Sequence, residues 1–137
     1  MLETFALLKN TRMAMLYPTI FSTAINLAIL SSVFIKMMVD TMDKWSDETQ
    51  TSNALLCMLG LGSGEIIGSM AFGRITDKCD KKTTFLINVT ACTVGYALLI
   101  LYGAIYDFSF YMGVLMTFSW GIQDSGVNCL LNSYLGF

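Results

Sequence analysis

Histidine is absent from the 137 residues, which removes the commonest catalytic base and metal ligand. Charge is scarce: 13% of residues are Asp, Glu, Lys or Arg, against about a quarter in an ordinary soluble domain. The net charge of −2 argues against a nucleic-acid partner. Proline occurs once, at Pro18, in the first turns of an apolar run, where its missing amide costs least. Cys57, Cys79, Cys92 and Cys129 show no C-x-x-C spacing and read as reduced thiols and small packing residues. There is no G-x-x-x-x-G-K-S/T phosphate loop and no H-E-x-x-H, and Gly62-Ser63-Gly64 has no His to pair with. Met37, Met38 and Met42 cluster, but without His or Cys nearby they read as apolar filling, not as a copper site. No enzyme, cofactor or metal site is expected.

What the chain does have is apolar surface. Hydrophobic residues make up 55% of it, with a mean hydropathy of +0.62. One small core cannot hide so much, so lipid is the expected solvent. The expected fold is an all-α membrane protein with four transmembrane helices, at about 13–39, 54–73, 85–106 and 108–134, in a single domain. The uncharged stretch 13–35 alone reaches about 34 Å at about 1.5 Å per residue, more than a hydrocarbon core of about 30 Å. The polar run 40–52 breaks the pattern after helix one. Thr83 and Thr84 are candidate N-caps for helix three, and Asp107 marks a tight turn before helix four. The first twelve residues lack the order of a cleaved signal.

Basic residues set the orientation. Lys9, Arg12, Arg74, Lys78, Lys81 and Lys82 fall in the N-terminal segment and the loop after helix two. The 40–52 loop holds only Lys44 against Asp40, Asp43, Asp47 and Glu48. Short Lys- and Arg-rich segments stay cytoplasmic, so both termini are expected inside and the acidic loop outside. Lys36 lies within a turn of the outer end and snorkels there.

Polar residues inside the spans are candidates for function. Gly60, Gly64 and Gly68 recur every four residues on helix two, a spacing that lets helices approach closely in lipid. Glu65 lies near mid-membrane, where an ionised carboxylate costs about 2.5–3.5 kcal/mol on insertion scales. It is either a proton or cation site or a glutamic acid hydrogen-bonded between helices. On helix four, Gly113, Thr117, Gly121, Asp124 with Ser125, Asn128 and Asn132 recur at three or four residues, which predicts one polar stripe. That stripe either lines a cavity or packs against protein. Asp124 is its strongest functional candidate.

The segment after helix two resembles the signature loop of the major facilitator superfamily, G-x-x-x-D-R/K-x-G-R/K-R/K. Gly73, Asp77, Lys78, Lys81 and Lys82 fill five positions, and Asp80 stands where the second Gly is usual. The resemblance implies a role for Asp77 and the lysines in an intracellular gate, not in ligand contact. Trp120-Gly121-Ile122-Gln123-Asp124-Ser125-Gly126-Val127-Asn128, followed by Gly136, resembles the tenth helix of Unc-ninety-three-like proteins, with Cys129 where Thr is usual. Asn10-Thr11-Arg12 and Met15-Leu16-Tyr17-Pro18 resemble the entry to their seventh helix. The resemblance implies helices seven to ten of a twelve-helix fold, part of one six-helix half.

Two functional expectations follow. In the first, the chain is a fragment of a transporter-like protein, with Glu65 and Asp124 lining its cavity and the remaining helices, or another chain, completing it. In the second, it is a non-transporting membrane partner that regulates or traffics a channel or receptor, using the glycine face of helix two. A stand-alone four-helix oligomer is a third. The substrate is not legible in any of them.

Overall fold

The apolar runs form four helices in the computed structural model, which describes residues 16–42, 44–105, 107 and 109–135, and no strand occurs among them. Expectations for Lys9, Asn10, Thr11, Arg12, Asp43, Tyr106, Phe108, Gly136 and the residues 13–15 fall outside the described residues.

Helix α1 is Tyr17–Asp40, with Pro18 in its first turn. Its middle, Ile29–Phe34, widens into a π-helix. The Ser32 hydroxyl donates to the carbonyl of Ala28 beside it, a side-chain bond that competes with the helical ladder and bends helices. Helix α2 is Asp47–Lys78, 32 residues. At about 1.5 Å per residue it is about 48 Å long, well beyond an apolar core of about 30 Å. Both its ends are therefore polar. Asp47 and Glu48 sit on the positive N-terminal end of the helix dipole and Lys78 on the negative C-terminal end. Helix α3 is Lys81–Ile105 and helix α4 is Phe110–Leu135.

These bounds correct the sequence reading in three places. The polar run after α1 is mostly helix: only Thr41 to Ser46 separates the helices, and Gln50 pins that connection by donating its amide to the carbonyls of Met42 and Trp45, both at 3.0 Å. The basic loop shrinks to Cys79 and Asp80, because 74–78 contains no proline or glycine to stop α2. Cys79 is extended (φ −105°, ψ 159°) and ends that helix. The cap of α3 is Asp80, not Thr83 or Thr84. Its carboxylate accepts from the Thr83 hydroxyl and from the backbone N–H groups of Lys82 and Thr83. An Asp where the signature has Gly thus starts a helix.

A fourth difference concerns the spans. Three helices are long and apolar enough to cross a membrane: Tyr17–Asp40, Asp47–Lys78 and Lys81–Ile105. Helix α4, with 26 residues, has the length but not the composition, because Gln123, Asp124, Asn128 and Asn132 dilute it. It is also the most enclosed of the four. It packs mainly on α2 and next on α3.

The helices run alternately up and down. At the acidic end, the hydroxyls of Thr41, just past α1, and of Tyr102 of α3 meet at 2.9 Å, over a core of Leu30, Phe34, Met38, Cys57 and Met116. Phe34 sits edge-on to Tyr102, with centroids 6.1 Å apart. At the basic end, Lys81 reaches the last turns of α4. Helices α2 and α4 are parallel neighbours. The outward surfaces are apolar: Leu55, Leu59, Ile66, Leu86 and Ile100 are more than 60% exposed. Water would not leave such faces uncovered on a soluble monomer.

Candidate functional site

Small residues set the register of α2 on α4. Gly60 lies against Thr117, Gly64 against Gly121 and Gly68 against Ser125, so four residues on one helix match four on the other. An added Cβ at Gly60 would stand 2.8 Å from the Val114 carbonyl oxygen, and one at Gly68 would stand 2.9 Å from the Ile122 Cα. At Gly121 it would stand 2.8 Å from the Glu65 amide nitrogen. Backbone lies on backbone here, and any side chain would part the helices. Thr117 closes the seam by donating its hydroxyl to the Cys57 carbonyl at 2.6 Å.

The predicted stripe of α4 is two rows, not one. Gly113, Thr117, Gly121 and Ser125 are buried and form the α2 contact. Asp124, Asn128 and Asn132 are displaced by one residue, about 100° around the helix, and turn away from it. Asp124 is half-buried and its Oδ2 accepts from the Asn128 amide nitrogen at 3.0 Å. Asn128 and Asn132 are exposed. Glu65 is half-buried, and its backbone lies against Gly121, one turn from Asp124. Both acids therefore stand at the middle of their helices beside one seam. Among the described residues, no group of His, Cys, Asp and Glu could hold a metal ion.

The signature residues are not gathered in one loop. Gly73 is inside α2 with nothing within 4 Å of an added Cβ, and Asp77 and Lys78 are exposed on its last turn. Lys82 is exposed at the start of α3. Lys81 makes the only long-range contact of this group among the described residues. Its Nζ donates to the Ser133 carbonyl at 3.4 Å and stands 5.0 Å over the Tyr134 ring. A cation there suits the negative end of the α4 dipole. Asp80 is the exposed acid whose charge is stabilised: the hydrogen bond from Thr83 holds its carboxyl below the usual range.

A second polar group was missed in the sequence because its members lie on three helices. Asn26 of α1, Asn88 and Tyr96 of α3, and Trp120 and Gln123 of α4 lie along the contacts of α3 with α1 and α4, behind the glycine seam. The Tyr96 hydroxyl donates to Asn26 Oδ1. The Trp120 ring sits edge-on to Tyr96, with centroids 5.5 Å apart. Asn88 accepts from the Cys92 thiol at 3.4 Å, and its Nδ2 rests on Gly126. The signal was there in Asn88, a polar residue inside an apolar run. A separate open groove of about 390 Å³, lined by Ile87, Thr90, Ala91, Val94, Ser119 and Ile122, is apolar and holds none of the expected site residues.

The described residues form an all-helical protein in which three helices are long and apolar enough to cross a membrane and a fourth, more polar one packs mainly on α2 and α3. No protein-family model, curated protein or solved structure matches the chain.

Proposed function

We propose that the chain is part of a transporter-like membrane protein of the major-facilitator type, in the Unc-ninety-three-like branch. In this reading it crosses the membrane four times with both termini cytoplasmic, and α4 lines a polar path completed by further helices or another chain. The observation that carries it is the Asp124–Asn128 pair on the open side of the most enclosed helix, one turn from where Glu65 crosses. A helix turned wholly to lipid would not hold such a pair at mid-membrane, and polar groups at that depth in transporters line substrate and ion paths. The resemblance of the 120–128 segment and of the Gly73 to Lys82 segment supports the lineage. Lys81 on the end of α4 supports a conformational role for the basic end, since it couples α3 to the helix that carries Asp124. The alternative, a non-transporting partner, loses its simplest contact face, because α4 fills the glycine row of α2.

Thiol accessibility tests the path. In membranes of cells making the chain, a water-soluble maleimide should modify Asn128→Cys and, more slowly, Asp124→Cys. Leu115→Cys, on an exposed apolar face, should react only with a lipid-soluble reagent. Peptide mass spectrometry separates these sites from the native cysteines. Reaction of Asn128→Cys with the lipid-soluble reagent alone would contradict a water-lined path.

A further inference from the structure

Three buried polar atoms along the contact of α3 with α4 have no hydrogen-bond partner among the described residues: Trp120 Nε1, Gln123 Oε1 and Asn88 Nδ2. Their side chains are 2%, 1% and 4% exposed, so bulk water does not serve them. Leaving such atoms unpaired in an apolar interior is costly, and native proteins rarely do so. On α4, Gln123 follows Trp120 by one turn, and its Oε1 lies beside Gly95, 3.0 Å from where a Cβ would stand. Asn88 sits one turn further on, against Gly126. Positions 120 to 126 span about 9 Å at about 1.5 Å per residue. One oxygen on each side of the Gln123 carbonyl makes four bonds of about 2.8–3.0 Å, a bent path of about 11–12 Å over that rise.

The donors and acceptors specify the chemistry. Trp120 and Asn88 offer N–H at the two ends, and Gln123 offers a carbonyl oxygen between them. An O–H group accepts from the first kind and donates to the second. The groups that form this file are uncharged, which disfavours an ion. Gly95 and Gly126 are buried, and their lack of a side chain makes the room that the Gln123 Oε1 and the Asn88 Nδ2 atoms occupy. We propose that Asn88, Trp120 and Gln123 form a hydroxyl-binding file inside the α3–α4 contact, occupied by two O–H groups of water or of a small diol or polyol. It lies on the other side of α4 from the glycine seam and is independent of the chain's lineage and of the path assigned to Asp124.

Indole NMR of the intact chain in micelles reads the site directly. The sequence has two tryptophans, and Trp45 is half exposed, which makes it the internal reference. With ¹⁵N-labelled tryptophan, the Trp120 indole proton should show cross-relaxation with water although its ring is buried. Gln123→Met, which keeps the length and removes the acceptor, should cut that signal severalfold and leave Trp45 unchanged. Asn88→Leu should do the same and serves if Gln123→Met fails to fold. Glycerol is the second probe. A saturable shift of the Trp120 indole, lost in Gln123→Met, assigns the oxygens to a polyol, whereas water contact without a shift assigns them to water. A Trp120 indole with no water contact and no response to glycerol overturns the proposal. So does a Gln123→Met variant that melts higher than the wild type with the water signal intact, because the oxygen would then have been idle.

Discussion

At the scale of single residues, the glycines separate into those that hold a contact and those that do not. Gly64 has the Phe118 carbonyl carbon 3.0 Å and the Gly121 Cα 3.2 Å from where a Cβ would stand, whereas Gly62 has nothing within 4 Å. Gly64→Ala must push backbone apart and should destabilise by about 1–3 kcal/mol. Gly62→Ala, in the same helix, should be neutral or stabilise by up to about 1 kcal/mol through helix propensity alone. Thermal unfolding in detergent measures both, and equal effects would refute the seam. Asp124 is a second case. Asn in its place still offers an oxygen to Asn128, so Asp124→Asn should change the unfolding temperature little. Asp124→Leu removes the acceptor and should cost about 1 kcal/mol. A strong loss with Asp124→Asn would mean that the charge itself has a structural partner within the chain.

At the scale of helices, the sequence shows composition better than ends. Apolar length marks where α1, α2 and α3 run, but α2 begins seven residues before and stops five after its apolar stretch, since a helix continues past its apolar residues until something ends it. Charged residues at 47, 48 and 78 look like loop from their polarity, yet each suits its own end of the helix dipole. The cap of α3 was readable in Asp80 followed by Lys, Lys and Thr, and was obscured by the expectation of a longer loop. That cap titrates. Thr83 and the backbone N–H groups favour the Asp80 carboxylate, so its folded pKa lies below the unfolded value of about 3.9. The stabilisation is therefore present above about pH 4 and is lost as the pH falls through the folded pKa. Asp80→Asn keeps a capping side chain but not the charge. Its unfolding temperature should fall less than that of the wild type between pH 5 and pH 2. Parallel falls would show that the cap is not titrating.

At the scale of the whole molecule, the spacing of Gly60, Gly64 and Gly68 and of Gly113, Thr117 and Gly121 is visible in the sequence, but their meeting is not. Period alone places residues on a face of a helix and says nothing of which helix lies opposite. The same limit merged the Asp124 row with the Gly121 row, and hid Asn26, Asn88, Tyr96, Trp120 and Gln123 as a group. Three helices are long and apolar enough to cross a membrane, and α4 is carried among them by contacts that its own composition does not announce. Whether α4 crosses with them decides the account. Parallel packing of α2 and α4 requires that Ser109 lie on the same side as Ser46, and that Asn132 lie with Cys79 on the other. Labelling in sealed cells with a membrane-impermeant maleimide tests this directly, since Ser46, Ser109, Asn132 and the native Cys79 are all exposed. Ser46→Cys and Ser109→Cys should react from outside, while Asn132→Cys and Cys79 should react only after the membrane is opened. Reaction of Asn132→Cys from outside, or of Ser109→Cys only after opening, would contradict a fourth crossing.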